Sequence, residues 1–172
     1  MHIRYIVVMG VSGCGKSTIA ERVAQQLHWL FLEGDALHPP ANVEKMRQGI
    51  PLDDADRAPW LEAVAQTIRH WRSQGRCAVI ACSALRRAYR DIIVEGHDDL
   101  CFVYLHGTHE LLVQRLQNRR SHFMPLDLLD SQLALLEEPE APPERAIRLE
   151  IDKSPEVLAH EVFRSVSGYI AR

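Results

Sequence analysis

The chain has no long apolar run, no cluster of basic residues, no Cys-x-x-Cys spacing, no internal repeat and no low-complexity stretch. Each absence removes a class of protein. No uninterrupted apolar segment approaches the roughly 20 residues that a helix needs to cross a bilayer, so no membrane association is expected. A formal charge of −3 comes without a polybasic tail, which argues against a nucleic-acid backbone or an anionic lipid surface as partner and leaves small molecules. Cys14, Cys77, Cys82 and Cys101 lack the paired spacing of a zinc site, and two of them fall inside apolar strand-like runs. Reduced thiols in a cytoplasmic protein fit that pattern better than a disulfide framework. The uncharged stretch Tyr5 to Gly15 could pass for a short signal sequence, but a different motif accounts for it. At 172 residues and 47% hydrophobic, the chain suits one core and one domain over 1–172.

What is present begins with Gly10, Val11, Ser12, Gly13, Cys14, Gly15, Lys16 and Ser17, which fit Gly-x-x-x-x-Gly-Lys-Ser/Thr. Ile3 to Met9 ahead of it is rich in β-branched and aromatic residues, and Ser17 to Leu27 behind it has apolar residues at helical spacing. A phosphate-binding loop needs that strand-to-helix context. Glycines let backbone N–H groups point inward, the helix N-terminus adds positive potential, and Lys16 can reach the outer phosphates. Ser17 is placed to ligate Mg²⁺, and Thr18 behind it is a candidate nucleotide-binding residue with the loop.

Further short apolar runs, Trp29–Glu33, Cys77–Cys82, Cys101–His106 and Ala146–Ile151, read as strands alternating with helical patterns. That rhythm predicts an α/β fold with a parallel sheet wrapped by helices. Trp60, Leu61, Val64, Ile68 and Trp71 mark one helix face, with Asp56 as the expected N-cap and Pro59 in the first turn. Thr108 caps a helix carrying Leu111, Leu112, Arg115 and Leu116, and Pro155 to Ala171 forms a last amphipathic helix. Arg119 to Pro125 interrupts the rhythm. Asp53, Asp54 and Asp56 are read as turn and capping residues, and the pair His106 and His109 as incidental, so no protein metal cluster is expected.

A phosphate loop alone leaves open a phosphotransferase, or a switch or motor that hydrolyses the nucleotide. The chain carries neither an Asn-Lys-x-Asp base-reading motif nor an apolar strand ending in Asp-Glu. Its acidic groups stand at the end of the second strand, in Glu33-Gly34-Asp35. Ligands gather at the carboxyl ends of parallel strands, so Asp35, which follows the strand adjacent to the motif, should face the phosphate loop and could orient an acceptor hydroxyl.

Gly34-Asp35-Ala36-Leu37-His38-Pro39, Asn42, Lys45-Met46, Gly49, Pro51-Leu52, Asp54, Asp56-Arg57, Pro59-Trp60-Leu61, Cys82-Ser83-Ala84-Leu85-Arg86 and Tyr89-Arg90-Asp91 resemble the gluconate kinase family. The likeness continues through Arg115, Arg119, His122 and Phe123 to the Asp152 region. It departs from the family's pattern at Cys14, where a small serine-like residue is usual, and at Arg86, where lysine is also seen. The resemblance implies a P-loop kinase fold related to shikimate and nucleoside-monophosphate kinases, with a five-stranded parallel sheet flanked by helices and a mobile lid at about 119–126. It also implies transfer from ATP to D-gluconate, giving 6-phosphogluconate, with a homodimer favoured.

Roles follow from the resemblance and from the charge that phosphoryl transfer spreads over the transferred oxygens. Lys16, Arg115 and Arg119 are the cations expected to meet that charge, the two arginines sharing a helix face at the lid's edge and closing over the nucleotide. Adenine is expected between Arg115 and the Asp152–Pro155 loop. Asp35 is the candidate to hold and deprotonate the 6-hydroxyl of gluconate, with Glu33 or Asp35 within reach of Mg²⁺ through water. Arg57 and Arg90 are the candidates for the gluconate carboxylate, because a guanidinium meets it bidentately. His38 is a candidate for sugar hydroxyls, with packing within its loop as the alternative, and His122 is a candidate substrate-binding residue. Cys14, in a loop before a helix N-terminus and beside Lys16, is expected to be the most reactive thiol.

Overall fold

A computed structural model of the chain describes residues 2–118 and 126–170. Five strands, β1 (Tyr5–Met9), β2 (Leu30–Glu33), β3 (Ala78–Ala81), β4 (Leu100–His106) and β5 (Ala146–Glu150), form one sheet in the order β2-β3-β1-β4-β5 with every pairing parallel. β1 lies at the centre, with Val7 in register with Ile80 on one side and Phe102 on the other. All five of its residues are buried, as a strand covered on both faces requires.

Alternation along the strands divides the core. Ile6, Val8, Val79, Val103 and Leu105 face α1 (Lys16–Leu27) and α7 (Pro155–Val166), meeting Ile19, Val23, Leu158 and Val162. Tyr5, Val7, Met9, Ile80, Phe102 and Tyr104 face the other way, against Trp60, Leu61, Val64 and Ile68 of α3 (Asp54–Ser73) and Ile93 of α4 (Arg87–Val94). The result is a three-layer α/β/α arrangement. A short 3-10 turn, Gly34–Leu37, leads from β2 toward α2 (Pro40–Arg47); α5 (His109–Gln117) follows β4, and α6 (Leu126–Leu135) precedes β5.

Three expectations need correction. β2 is not the sheet neighbour of β1, because β3 is inserted between them. The chain therefore passes from one side of β1 to the other between β3 and β4, and the order reverses at the strand that carries the phosphate loop. Asp56 is not the N-cap of α3. Asp53 is: its Oδ1 accepts from the Asp56 N–H at 2.7 Å, while Asp56 Oδ2 accepts from the Asp53 N–H at 3.0 Å. This reciprocal box satisfies two backbone donors at once and starts the helix at Asp54, which moves Pro59 into the second turn. The final helix also ends earlier than its apolar pattern suggests, at Val166 with Ser167 as C-cap.

Candidate active site

The phosphate loop joins β1 to α1. Gly15, the residue before the helix, has φ +98°, a left-handed conformation that side chains with a Cβ rarely adopt. The loop is anchored at both ends: the Gly10 N–H donates to the Ser83 carbonyl at 3.3 Å, and the Ile19 N–H to Gly15 at 3.0 Å. Lys16 Nζ donates to the Val11 carbonyl at 3.2 Å. Ser17 and Thr18 are exposed at the start of α1, whereas Val11 and Cys14 are buried beneath the loop. The Ser12 N–H donates to Gln132 Oε1 of α6 at 2.7 Å, across 120 residues of chain.

Gly34 brings the second half of the site against the sheet. A Cβ at this position would lie 2.4 Å from the Ala81 carbonyl oxygen, so only glycine allows the turn after β2 to press onto the end of β3. The Gly34 carbonyl in turn accepts the buried Trp60 Nε1–H at 2.8 Å. Asp35, the next residue, is exposed. The Cys82 thiol at the end of β3 registers what this brings together: burial pushes it up to about 12, with Asp35 and Glu33 acting in the same direction and Lys16 against them. The charges of Lys16, Glu33 and Asp35 therefore all bear on the carboxyl end of β3.

His38 lies 3.8 Å from Asp35, and the charge of Arg57 bears on the same ring. The His38 ring stacks on Trp60 at 4.1 Å between centroids, and burial depresses its pKa, with Asp35 opposing the shift and Arg57 reinforcing it. Arg57 is half-buried; its Nη1 donates to the Leu52 carbonyl and, at 3.4 Å, to the Tyr89 hydroxyl. Its Nε and Nη2 have no partner among the described residues. Arg115 lies at the other side of the loop, where it donates to the carbonyls of Cys14 and Ile151. That contact sets it one residue before the segment leading to Pro155, which starts α7 behind the N-cap Ser154. Arg119 and His122, together with nearly all of the expected lid, lie outside the described residues.

Arg90 is a correction. Its side chain is 1% exposed, and its Nε and Nη2 pair with both oxygens of Glu144 at 2.6 and 2.9 Å. Nη1 reaches the carbonyls of Ala84, Leu85 and Glu137. A guanidinium so fully committed has no edge left for a substrate carboxylate; it fastens the segment before β5 to α4. Burial works to raise the Glu144 carboxyl, but the Arg90 fork outweighs it and holds the group below its ordinary range. Arg90→Ala would strand this carboxylate, and a loss of about 3–5 kcal/mol is expected in urea unfolding, with turnover per folded molecule little changed.

The thiol expectation is also overturned. Cys14 is fully buried, whereas Cys77, which precedes β3, is half-buried. Burial also pushes Cys101 up to about 11. Brief alkylation followed by peptide mapping should therefore label Cys77 first and leave Cys14, Cys82 and Cys101 nearly untouched, since reaction requires an accessible thiolate.

Asn42 and Gln132 are site residues for which the sequence reading named no role. Asn42 lies one helical turn after His38, a spacing that could have flagged it; Gln132 offers no local signal, because its partner is 120 residues away. The described residues include no helix long and apolar enough to cross a membrane.

Comparison with known proteins agrees with this arrangement. A family model described as an AAA domain matches residues 6–139. The gluconokinase of Gluconobacter oxydans (strain 621H) is 50% identical over 161 residues, covering 94% of this chain and 90% of that protein. An unliganded sugar kinase from Janibacter sp. HTCC2649 superposes with a TM-score of 0.90 at 42% identity, over 99% of each chain. A gluconokinase from Sinorhizobium meliloti 1021 gives 0.87 at 40% identity, over 98% of this chain and 94% of the other.

Proposed function

The chain belongs to the gluconokinase family, and from that membership we infer how its residues divide the work. The reaction is ATP-dependent phosphorylation of D-gluconate to 6-phospho-D-gluconate. The observation that carries the division of roles is that the phosphate loop and the turn carrying Asp35 both close on the end of β3, the Gly10 N–H on the Ser83 carbonyl and Gly34 on Ala81, which suits Lys16 as a cation for the transferred phosphoryl oxygens and Asp35 as a carboxylate for the attacking hydroxyl. On this reading the loop Gly10–Ser17 and Thr18 cradle the phosphates through backbone N–H groups, as a helix N-terminus favours. Lys16 leaves the Val11 carbonyl and follows the charge as it develops.

Asp35 accepts the hydrogen bond of the 6-hydroxyl, aims the oxygen at the phosphorus, and takes the proton as the new P–O bond forms. The free edge of Arg57 receives the gluconate carboxylate, a match that a lysine could not make bidentately. Arg115 stacks on the adenine beside Pro155, and Arg119 and His122 complete the site from a lid at about 119–126. A lid also keeps out water, which would otherwise compete with the sugar for the phosphoryl group.

The donor set at the loop suits Mg²⁺, a hard ion that prefers oxygen ligands and keeps several waters: the exposed Ser17 hydroxyl stands at the helix start. Bound there, Mg²⁺ would neutralise phosphate charge. A cytoplasmic, single-domain homodimer is the setting we propose, which light scattering coupled to gel filtration tests for assembly.

The acceptor is tested by ADP release with Mg-ATP and a panel of sugar acids, shikimate and nucleosides. Gluconate should raise turnover well above the rate without acceptor. Slow turnover indifferent to every acceptor would instead mark a nucleotide-driven switch and refute the kinase assignment.

A further inference from the structure

His38 has little surface left for a sugar, yet both ring nitrogens face polar groups. Its side chain is 4% exposed, and the ring lies on Trp60 at an interplanar angle of 17°. Trp60 is tied through Nε1 to Gly34, so the imidazole plane is fixed against the same backbone turn that carries Asp35.

The hydrogen bonds of Asn42 fix which nitrogen carries the proton. Asn42 is 3% exposed, and its Nδ2 donates to the Asp56 carbonyl at 2.7 Å. A carbonyl can only accept, so this contact sets the orientation of the amide. The same NH₂ group lies 3.2 Å from His38 Nδ1, which must then present its lone pair. In a neutral imidazole the proton is left on Nε2. Nε2 faces Asp35 Oδ1 at 3.8 Å, and the Asp35 side chain is 63% exposed. Burial favours the neutral ring, and the charged groups that bear on it, Asp35 and Arg57, oppose each other.

We propose that His38 is a positioning residue for Asp35: with its tautomer set by Asn42, Nε2–H takes one carboxylate oxygen and leaves the other aimed at the acceptor hydroxyl. The gap of 3.8 Å closes by torsion of an exposed side chain, and catalytic hydrogen bonds commonly tighten only when substrate is bound. The proposal rests on the reading of Asp35 as the acceptor-orienting carboxylate. It replaces the expected contact between His38 and a sugar hydroxyl.

Two variants separate orientation from packing. His38→Phe keeps a ring for Trp60 and removes the donor; His38→Gln gives up the stack but supplies an oxygen for Asn42 and an N–H for Asp35. Steady-state kinetics should show His38→Phe losing about 10–100-fold in kcat with little change in the KM for gluconate, the scale expected when a reacting group is misplaced. His38→Gln should recover most of that loss even if its thermal midpoint falls. The reverse ranking would make His38 a packing residue, and a raised KM with unchanged kcat would make it a direct sugar contact; either overturns the proposal. Adding His38→Phe to Asp35→Asn should cost nothing further, because the two act as one unit. If Asp35→Asn alone turns over normally, the reading of Asp35 fails and this inference with it. If Asp35→Asn is slow and His38→Phe is not, only this inference fails.

Discussion

Lys16→Ala is expected to remove nearly all phosphoryl transfer while the protein stays folded. In phosphoryl transfer the protein contributes chiefly fixed charge and fixed geometry, since charge spreads over the three equatorial oxygens of the group in flight. Deleting a single preorganised donor to such charge costs about 10²–10³-fold, and a full cation at the outer phosphates should reach at least the upper end. The fold should be indifferent, because among the described residues the ammonium makes one hydrogen bond, to the Val11 carbonyl at 3.2 Å, and that carbonyl also accepts the Cys14 N–H. ADP release in the presence of gluconate, paired with a circular-dichroism melt, checks both halves. Near-normal turnover in a folded variant would remove Lys16 from the mechanism.

The phosphate loop is legible because its chemistry is local: loop glycines, a lysine and a serine work through their own backbone, and the flanking strand and helix announce themselves by periodicity. The buried strands β1, β3 and β4 are visible for a related reason. Strands covered on both faces, such as β1, read as continuous apolar runs whatever their neighbours. Their order is not visible, since nothing in Leu30–Glu33 says that β3 will intervene between it and β1.

Short helices whose stability comes from packing, such as α2 and α4, also leave little trace. Arg90 shows the same limit from the other side. An arginine in a family-like motif suggests a substrate carboxylate, but its partner is Glu144, 54 residues on. Asp56 fails as a cap for a subtler reason: Asp53 and Asp56 are both capable, and their spacing lets each bond the other's N–H. The sequence pattern contains the box, but reading one carboxylate at a time hides it.

Asp35→Asn is expected to lower turnover with gluconate by about 10²–10⁴-fold while leaving ATP binding almost unchanged. The substitution keeps the size and one acceptor oxygen, so the hydroxyl can still be held, but it removes the negative charge that receives the proton. Two considerations favour the lower part of that range. The transition state for transfer is loose, so the attacking oxygen gains little positive charge until bond formation is advanced and a weak base is then tolerated. The amide also still aligns the acceptor hydroxyl, so the positioning share of the carboxylate's contribution survives.

Folding should not confuse the result. Among the described residues the Asp35 carboxylate makes no hydrogen bond, its nearest ionisable neighbour being His38 at 3.8 Å, and the turn is held instead by Gly34 against Ala81 and Trp60. Steady-state rates with gluconate, set beside calorimetric titration with ATP, separate the outcomes. Normal turnover would make Asp35 a turn residue, and loss of ATP binding would move it from the acceptor to the metal. A fall in kcat with ATP affinity intact would fix the carboxylate on the sugar side of the crevice, where the close approach of Gly34 to β3 holds it.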